Sequence, residues 1–289
     1  MSLRMEQLAG RARWTWSVGT LSGIETRVHW SVGLFALYLA LSAAWSGGGA
    51  MSAGLAVCAL GLVLGFVWLH ELGHALMARH YGIGTRSITL SPLGGLASLS
   101  SLPRTPKQEL HVALAGPLVN VALFVFALMV GQVVGREVGV AAVLIDVAIW
   151  SNAMLALFNL LPVFPMDGGR VMRAWLERSR GRLRATEITA TVGGYLALAL
   201  GIWALATGKL MTVMIAAFVW RLGRVELAHV RARAGAPTGR SFRSGVGAPV
   251  GAWTDQSARP PRVHSSASPR RAGGVVVDIP HIERPRGGS

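Results

Sequence analysis

Two histidines and a glutamate in close succession carry the first chemical signal: His70-Glu71-Leu72-Gly73-His74. On a helix, His70 and His74 stand one turn apart on the same face. Their imidazoles can then hold one metal ion, with Glu71 beside it. This is the His-Glu-x-x-His pattern of zinc-dependent peptide hydrolysis. Zinc in such a site takes a third protein ligand and keeps one position open. It lowers the pKa of a water towards neutrality. A glutamate next to the first ligand can take the proton from that water and hand it to a leaving amine. The surroundings are unusual for a peptidase, because Ser52–Leu69 leads into the motif without a single charged residue. Apolar sequence of that length reads as a membrane-spanning helix. Polar groups at such a place are costly to insert and functional by default. The plainer alternative is a pair of helix-end histidines solvated at the interface.

The third ligand must come from elsewhere in the chain. Downstream acids and histidines near membrane level are Asp146, Asp167, His111, Glu109, Glu187 and Glu226. Asp146 falls near the start of an apolar span, on the side away from His74. Asp167 falls on the same side as His74, within Leu161-Pro162-Val163-Phe164-Pro165-Met166-Asp167-Gly168-Gly169. Two prolines and two glycines must break a helix there, and broken backbone at membrane depth can face a polar cavity rather than lipid. Gly168 and Gly169 permit close approach. Asp167 is therefore the expected ligand.

The elements that must position these groups follow from composition and charge. The chain has 289 residues, 52% hydrophobic and 14% charged, with a mean hydropathy of +0.47. A soluble domain averages nearer a quarter charged, so the pattern is that of a polytopic membrane protein. Cys58 is the single cysteine and lies in an apolar run, which excludes an internal disulfide framework. Of the 28 basic residues, only Lys107 and Lys209 are lysines. The net charge of +15 could suggest nucleic acid, but the arginines cluster in loops and in the tail. No signal-peptide cleavage pattern precedes the first apolar run.

The expected fold is all-α and polytopic. About six transmembrane helices fall at 29–45, 52–79, 109–133, 138–161, 187–207 and 210–228, with a small β-hairpin after the second. The hairpin is read from the short β-prone runs that flank Pro92 and Gly94-Gly95 within residues 86–99. Basic residues concentrate in 1–28, 79–107, 168–185 and after 220. Six spans place these on one side, and the positive-inside rule makes that side cytosolic, with both termini. His74 and Asp167 then lie at corresponding ends of spans two and four. Residues 1–230 form one domain. The 231–289 tail is rich in Gly, Ala, Pro, Ser and Arg and lacks an apolar period, so it reads as disordered. It is either an anionic-lipid or partner-binding segment or a solvated extension. No nucleic-acid partner is expected, since only Phe242 and Trp253 could stack on bases there.

Weaker signals surround these. His29 opens span one beside Trp30 and reads as an interfacial anchor, while His80, His111 and His229 lie near span ends. Asn120 and Asn152 would cost energy facing lipid, so each is expected to hydrogen-bond inside the bundle. Residues 86–99 are either a hairpin shielding the site or an edge that pairs with an unwound substrate segment.

Three segments together resemble a known family. Phe66-Val67-Trp68-Leu69-His70-Glu71-Leu72-Gly73-His74-Ala75, Ala115-Gly116-Pro117-Leu118-Val119-Asn120 and Phe158-Asn159-Leu160-Leu161-Pro162-Val163-Phe164-Pro165-Met166-Asp167-Gly168-Gly169-Arg170 are similar to the signature segments of the site-2 proteases, peptidase family M50. These are intramembrane zinc metalloproteases. The resemblance covers about residues 25–228. It implies one Zn2+ per chain on His70, His74 and Asp167, with Glu71 as the catalytic acid and base. It also implies that Asn159 and Pro165 help to place the substrate. The alternative for Asn159 is a helix-end cap or packing group. Many relatives carry a PDZ domain or a pair of CBS domains. No insert of PDZ size separates these spans, and the tail is too short and polar for a CBS pair.

The expected function is cleavage of a peptide bond in or near the transmembrane segment of another membrane protein, within the bilayer. The rivals are a membrane metal transporter using the same histidines as a transit site, and an inactive scaffold that binds membrane helices.

Overall fold

A computed structural model describes residues 14–234 apart from 22, 93 and 135–138. The chain begins with two strands, β1 (Thr15–Leu21) and β2 (Ile24–His29). Helix α1 (Ser31–Ala43) and helix α2 (Gly49–His80) follow, then strands β3 (Thr85–Ser91) and β4 (Gly94–Leu99). Five further helices complete the described chain: α3 (Pro106–Val134), α4 (Val140–Asn159), α5 (Asp167–Arg180), α6 (Arg182–Ala206) and α7 (Leu210–Ala234).

Four helical stretches among the described residues are long and apolar enough to cross a membrane: Ser31–His80, Pro106–Val134, Val140–Asn159 and Arg182–Ala206. The first is two helices. Between α1 and α2 the backbone leaves the helical region at Gly47 (φ 91°) and Gly49 (φ 60°), conformations that glycine adopts without a Cβ penalty. Ser52 Oγ donates to the Ala43 carbonyl at 2.9 Å and so ties the start of α2 to the end of α1. Helix α7 is apolar only as far as Trp220, after which Arg221, Arg224 and Glu226 follow. Its last four residues enter the segment read as a tail. The rest of that segment lies outside the described residues, as do residues 1–13 of the basic N-terminal stretch.

The fold is mostly helical, as expected, but its sheet has four strands rather than one hairpin. Residues 85–99 form an antiparallel hairpin, with Ile88 opposite Ala97 and Ser91 opposite Gly94. A second antiparallel hairpin, β1–β2, precedes α1, and β2 runs parallel to β3 with Val28 opposite Leu90. The sheet order is β1-β2-β3-β4. A parallel pair needs a long crossover, and here the crossover is the whole α1–α2 hairpin. The first hairpin was hidden in a segment dominated by its charges. Only Ile24 of its strand residues is buried, and a register shift between Ser17 and Gly19 interrupts the alternation. Its partner β3 is remote in the sequence.

The sheet packs on the part of α2 that carries the metal motif. Ile24, Ile88 and Leu90 bury against Val67 and Ala75, with Val28, Trp68, Leu72, Ala97 and Leu155 around them. Trp68 Nε1 donates to Thr26 Oγ1 at 3.0 Å. Helix α2 ends in a Schellman turn: Ile83 N–H bonds to the Ala78 carbonyl at 2.9 Å and Gly82 N–H to the Arg79 carbonyl at 2.9 Å, with Gly82 at φ 73°. Ile83 and Ala78 share one buried cluster, the apolar contact that accompanies such turns. The turn aims the chain back along α2, so that β3 and β4 lie beside the motif.

Candidate metal centre

The α-helical spacing of His70 and His74 puts their rings in edge-to-face contact, with centroids 4.7 Å apart. Both are buried, at 5% and 4% exposure, and Asp167 is 8% exposed. Asp167 is the first residue of α5, and the chain reaches it through the expected break. After Asn159 the backbone turns through residues 160–166, and the Phe164–Pro165 peptide bond is cis. The two glycines after Asp167 make this path possible. A Cβ on Gly168 would strike the carbonyl oxygens of Leu160 and Leu161, and one on Gly169 would strike the backbone of Val163 and Phe164.

The path brings three donors together. Asp167 Oδ2 lies 3.2 Å from His70 Nε2 and 3.1 Å from His74 Nε2, and the two Nε2 atoms are 3.1 Å apart. Tetrahedral zinc with bonds near 2.0–2.1 Å places its donors roughly 3.3 Å from one another. The other ring nitrogens decide which way the lone pairs point. His70 Nδ1 donates to Asn120 Oδ1 at 2.5 Å, and His74 Nδ1 donates to the Val112 carbonyl at 2.6 Å. With a proton on each Nδ1, each Nε2 presents a lone pair to the centre. Three electron-rich atoms so close repel one another unless a cation lies among them. The donor set therefore fits zinc, and these three residues form the metal-capable group of the described chain. Asp167 is the acidic member of the group and supplies its anionic donor.

Helix α3 builds the second wall. A Cβ on Gly116 would run into Nε2 of both His74 and His70, so glycine keeps open the space that an ion needs. Pro117 follows within the helix and has no N–H to give the Ala113 carbonyl. Gly73 lets α2 and α3 approach closely, since a Cβ there would meet Val119 and the Ala115 carbonyl. Asn120 continues the support: its Nδ2 donates to Asn152 Oδ1 at 2.9 Å, and Asn152 Nδ2 donates to the Ala148 carbonyl at 2.8 Å. Both asparagines are fully buried and bonded within the bundle. Their link to His70 is not visible from spacing alone; a buried asparagine just after the Ala-Gly-Pro run was the available sign.

Glu71 is half-buried beside the first histidine. Strand β4 lies against it, because a Cβ on Gly95 would strike Glu71 Cγ. Pro165 is exposed and Asn159 half-buried in and before the break. Asn159 Nδ2 donates to the Leu155 carbonyl of its own helix at 2.9 Å.

The other ligand candidates have other partners. Glu109 pairs with Arg173 and Arg182, Glu226 with Arg173, and Glu187 with Arg184 and Arg231. His111 Nδ1 lies 2.5 Å from the Tyr81 hydroxyl. Asp146 sits near the start of α4, at the end opposite Asn159. His29 Nδ1 lies 2.6 Å from Ser31 Oγ. Arg170 is an addition: its Nη1 lies 3.5 Å from Asp167 Oδ1, the oxygen turned away from the histidines.

The model of peptidase family M50 matches residues 58–141 and 136–200. Zinc metalloprotease MJ0392 of Methanocaldococcus jannaschii is 37% identical over 154 residues, which are 53% of this chain and 44% of that protein. Rip3 of Mycobacterium tuberculosis is 37% identical over 221 residues, 70% of this chain and 55% of its own. The chain thus spans about half the length of these curated relatives. The solved site-2 protease from Methanocaldococcus jannaschii superposes with a TM-score of 0.52 at 28% identity, covering 74% of this chain and 95% of that one.

Proposed function

The chain belongs to peptidase family M50, and from that premise we propose that it is an intramembrane zinc metalloprotease acting on other membrane proteins. One observation carries the reading. Two imidazoles, each pinned through Nδ1, and a carboxylate oxygen aim three donors at one buried point. Zinc held there by His70, His74 and Asp167 supplies Lewis-acid chemistry, polarising a carbonyl and acidifying a water. Glu71 removes the proton from the attacking water and delivers it to the departing amine. Gly116 and Gly95 keep side chains out of the space on either side. The half-buried position of Glu71 suits a base that must meet both water and substrate.

A helical peptide bond is shielded by its own side chains, so the substrate must unwind locally. Strand β4 ends the sheet and runs over Glu71, which supports pairing of the unwound segment along that edge. Asn159 and Pro165 then act from the opposite lip of the break.

The membrane setting rests on the four long apolar helical stretches and on the family. In the finer reading α1, α2, α3, α4, α6 and α7 make six spans, with both termini cytosolic. The meeting of His74 near the end of α2 with Asp167 just after α4 supports it, because alternate spans bring those ends to one side. The basic tail then faces anionic lipid. The transit-site alternative gains no support from the matched proteins, whose names are those of proteases where an activity is named.

The test is a comparison of membrane-protein fragments in cells carrying wild type or Glu71→Gln. An intact or partly trimmed single-span protein that accumulates only with the variant names the substrate. Identical fragment patterns would count against proteolysis.

A further inference from the structure

Behind Asp167 lies a buried cluster of charges that the chemistry above does not use. Its centre is Arg173 on α5, 3% exposed. Arg173 Nε donates to Glu109 Oε1 on α3 at 3.1 Å, and Nη2 donates to the same oxygen. Nη1 donates to Glu226 Oε1 on α7. The guanidinium also lies 5.1 Å from the ring centre of Phe164, in the break that leads to Asp167. The second Glu109 oxygen accepts from Arg182 Nη1, at the start of α6, at 3.1 Å, and the same Nη1 donates to Glu177 at 3.3 Å. Arg170, between Asp167 and Arg173 on α5, faces the outer oxygen of Asp167.

Buried ion pairs are poor sources of stability, since desolvation offsets much of their attraction. What they do well is fix geometry, because a forked guanidinium accepts few orientations. Helix α5 needs such fixing. It has 14 residues, follows an irregular break and must deliver its first side chain to a point set by α2. Apolar contacts alone would let it rotate or slide. Helix α7 packs along α6, and α6 on α5; Glu226 reaches past α6 to the same guanidinium.

We propose that Arg173 is a positioning residue for the metal centre: held by Glu109 and Glu226, it sets the rotation of α5 and hence the place of Asp167, coupling α7 to the metal ligand. This rests on the zinc reading of the site. Displacement of α7 changes how firmly the metal is held, although no α7 atom touches it.

The test uses the full chain in detergent or lipid, loaded with zinc and challenged with a chelator. Glu226→Gln is the informative variant, because Glu109 still pairs Arg173 and the fold is spared. Zinc release should accelerate by about 10-fold, within the range seen when a group supporting a ligand is lost. The melting temperature of the zinc-free protein should stay at the wild-type value. Glu187→Gln, which breaks the exposed pair with Arg231 between α6 and α7, should leave release unchanged. Arg173→Lys, which keeps the charge but loses the fork to both Glu109 and Glu226, should release zinc at least as fast as Glu226→Gln. Unchanged release in Glu226→Gln overturns the coupling. So does faster release accompanied by an equal loss of stability in the zinc-free protein, which would make the cluster a plain cross-link. If wild type itself binds no zinc, the site reading fails first, and the coupling with it.

Discussion

The two walls of the candidate metal centre are built from different materials. The α2–α3–α4 wall is neutral: His70 leans on Asn120, Asn120 on Asn152, and Asn152 on a main-chain carbonyl. The α5 wall is ionic: Asp167 faces Arg170, and Arg173 binds Glu109 and Glu226. The neutral wall lies in long apolar helices, where an amide chain satisfies every donor without burying a charge. The ionic wall lies on a short helix after a break, where no uninterrupted ladder holds the ligand and charge-assisted bonds supply the rigidity. The contrast teaches that support is matched to the element beneath it. A continuous helix needs only tautomer control, whereas a broken one needs anchoring.

Substitutions on each side sharpen this contrast. The largest effect is expected from Asp167→Asn, which exchanges the single anionic donor for an amide. Zinc content after purification should fall from stoichiometric to background, as metal analysis would read. Gly116→Ala comes next: its methyl would sit against both Nε2 atoms, so equimolar zinc should no longer saturate the site. The comparison breaks if this variant binds zinc as wild type does. Asn120→Ala attacks the neutral wall one step back. It strands the His70 Nδ1–H and the Asn152 amide oxygen, and metal affinity should drop roughly 10–100-fold. The fold should also lose about 1–3 kcal/mol from the unsatisfied buried groups, measured by denaturation in detergent. Gly82→Ala should do least to the chemistry. At φ 73° a side chain costs about 1–2 kcal/mol, lowering the melting temperature while zinc affinity stays put.

Local pattern and non-local contact divide what could be read from the chain. His70, Glu71 and His74 are legible because their relation is a helical repeat within one segment. Asp167 is marked in the sequence by the Pro-Gly break around it, and the structure gathers it with His70 and His74. The helices announce themselves by length and lack of charge. Other features depend on partners far along the chain. Glu109 and Glu226 look like free acids near membrane level until Arg173, 64 and 53 residues away, is seen between them. Asn120 is visibly a buried amide, but its bond to His70 spans 50 residues. The β1–β2 hairpin exists because β3 pairs with it across the α1–α2 crossover. No local propensity reports that pairing.

In the proposed reaction, one zinc ion held by His70, His74 and Asp167 works with Glu71 as its proton carrier. Zinc stoichiometry and cleavage of a single-span membrane protein, measured on the same preparations of wild type and Glu71→Gln, test it most directly. One zinc per chain is expected in both proteins, with cleavage by the variant reduced at least about 100-fold. Wild type without zinc, or a variant that cleaves as fast as wild type, would contradict it.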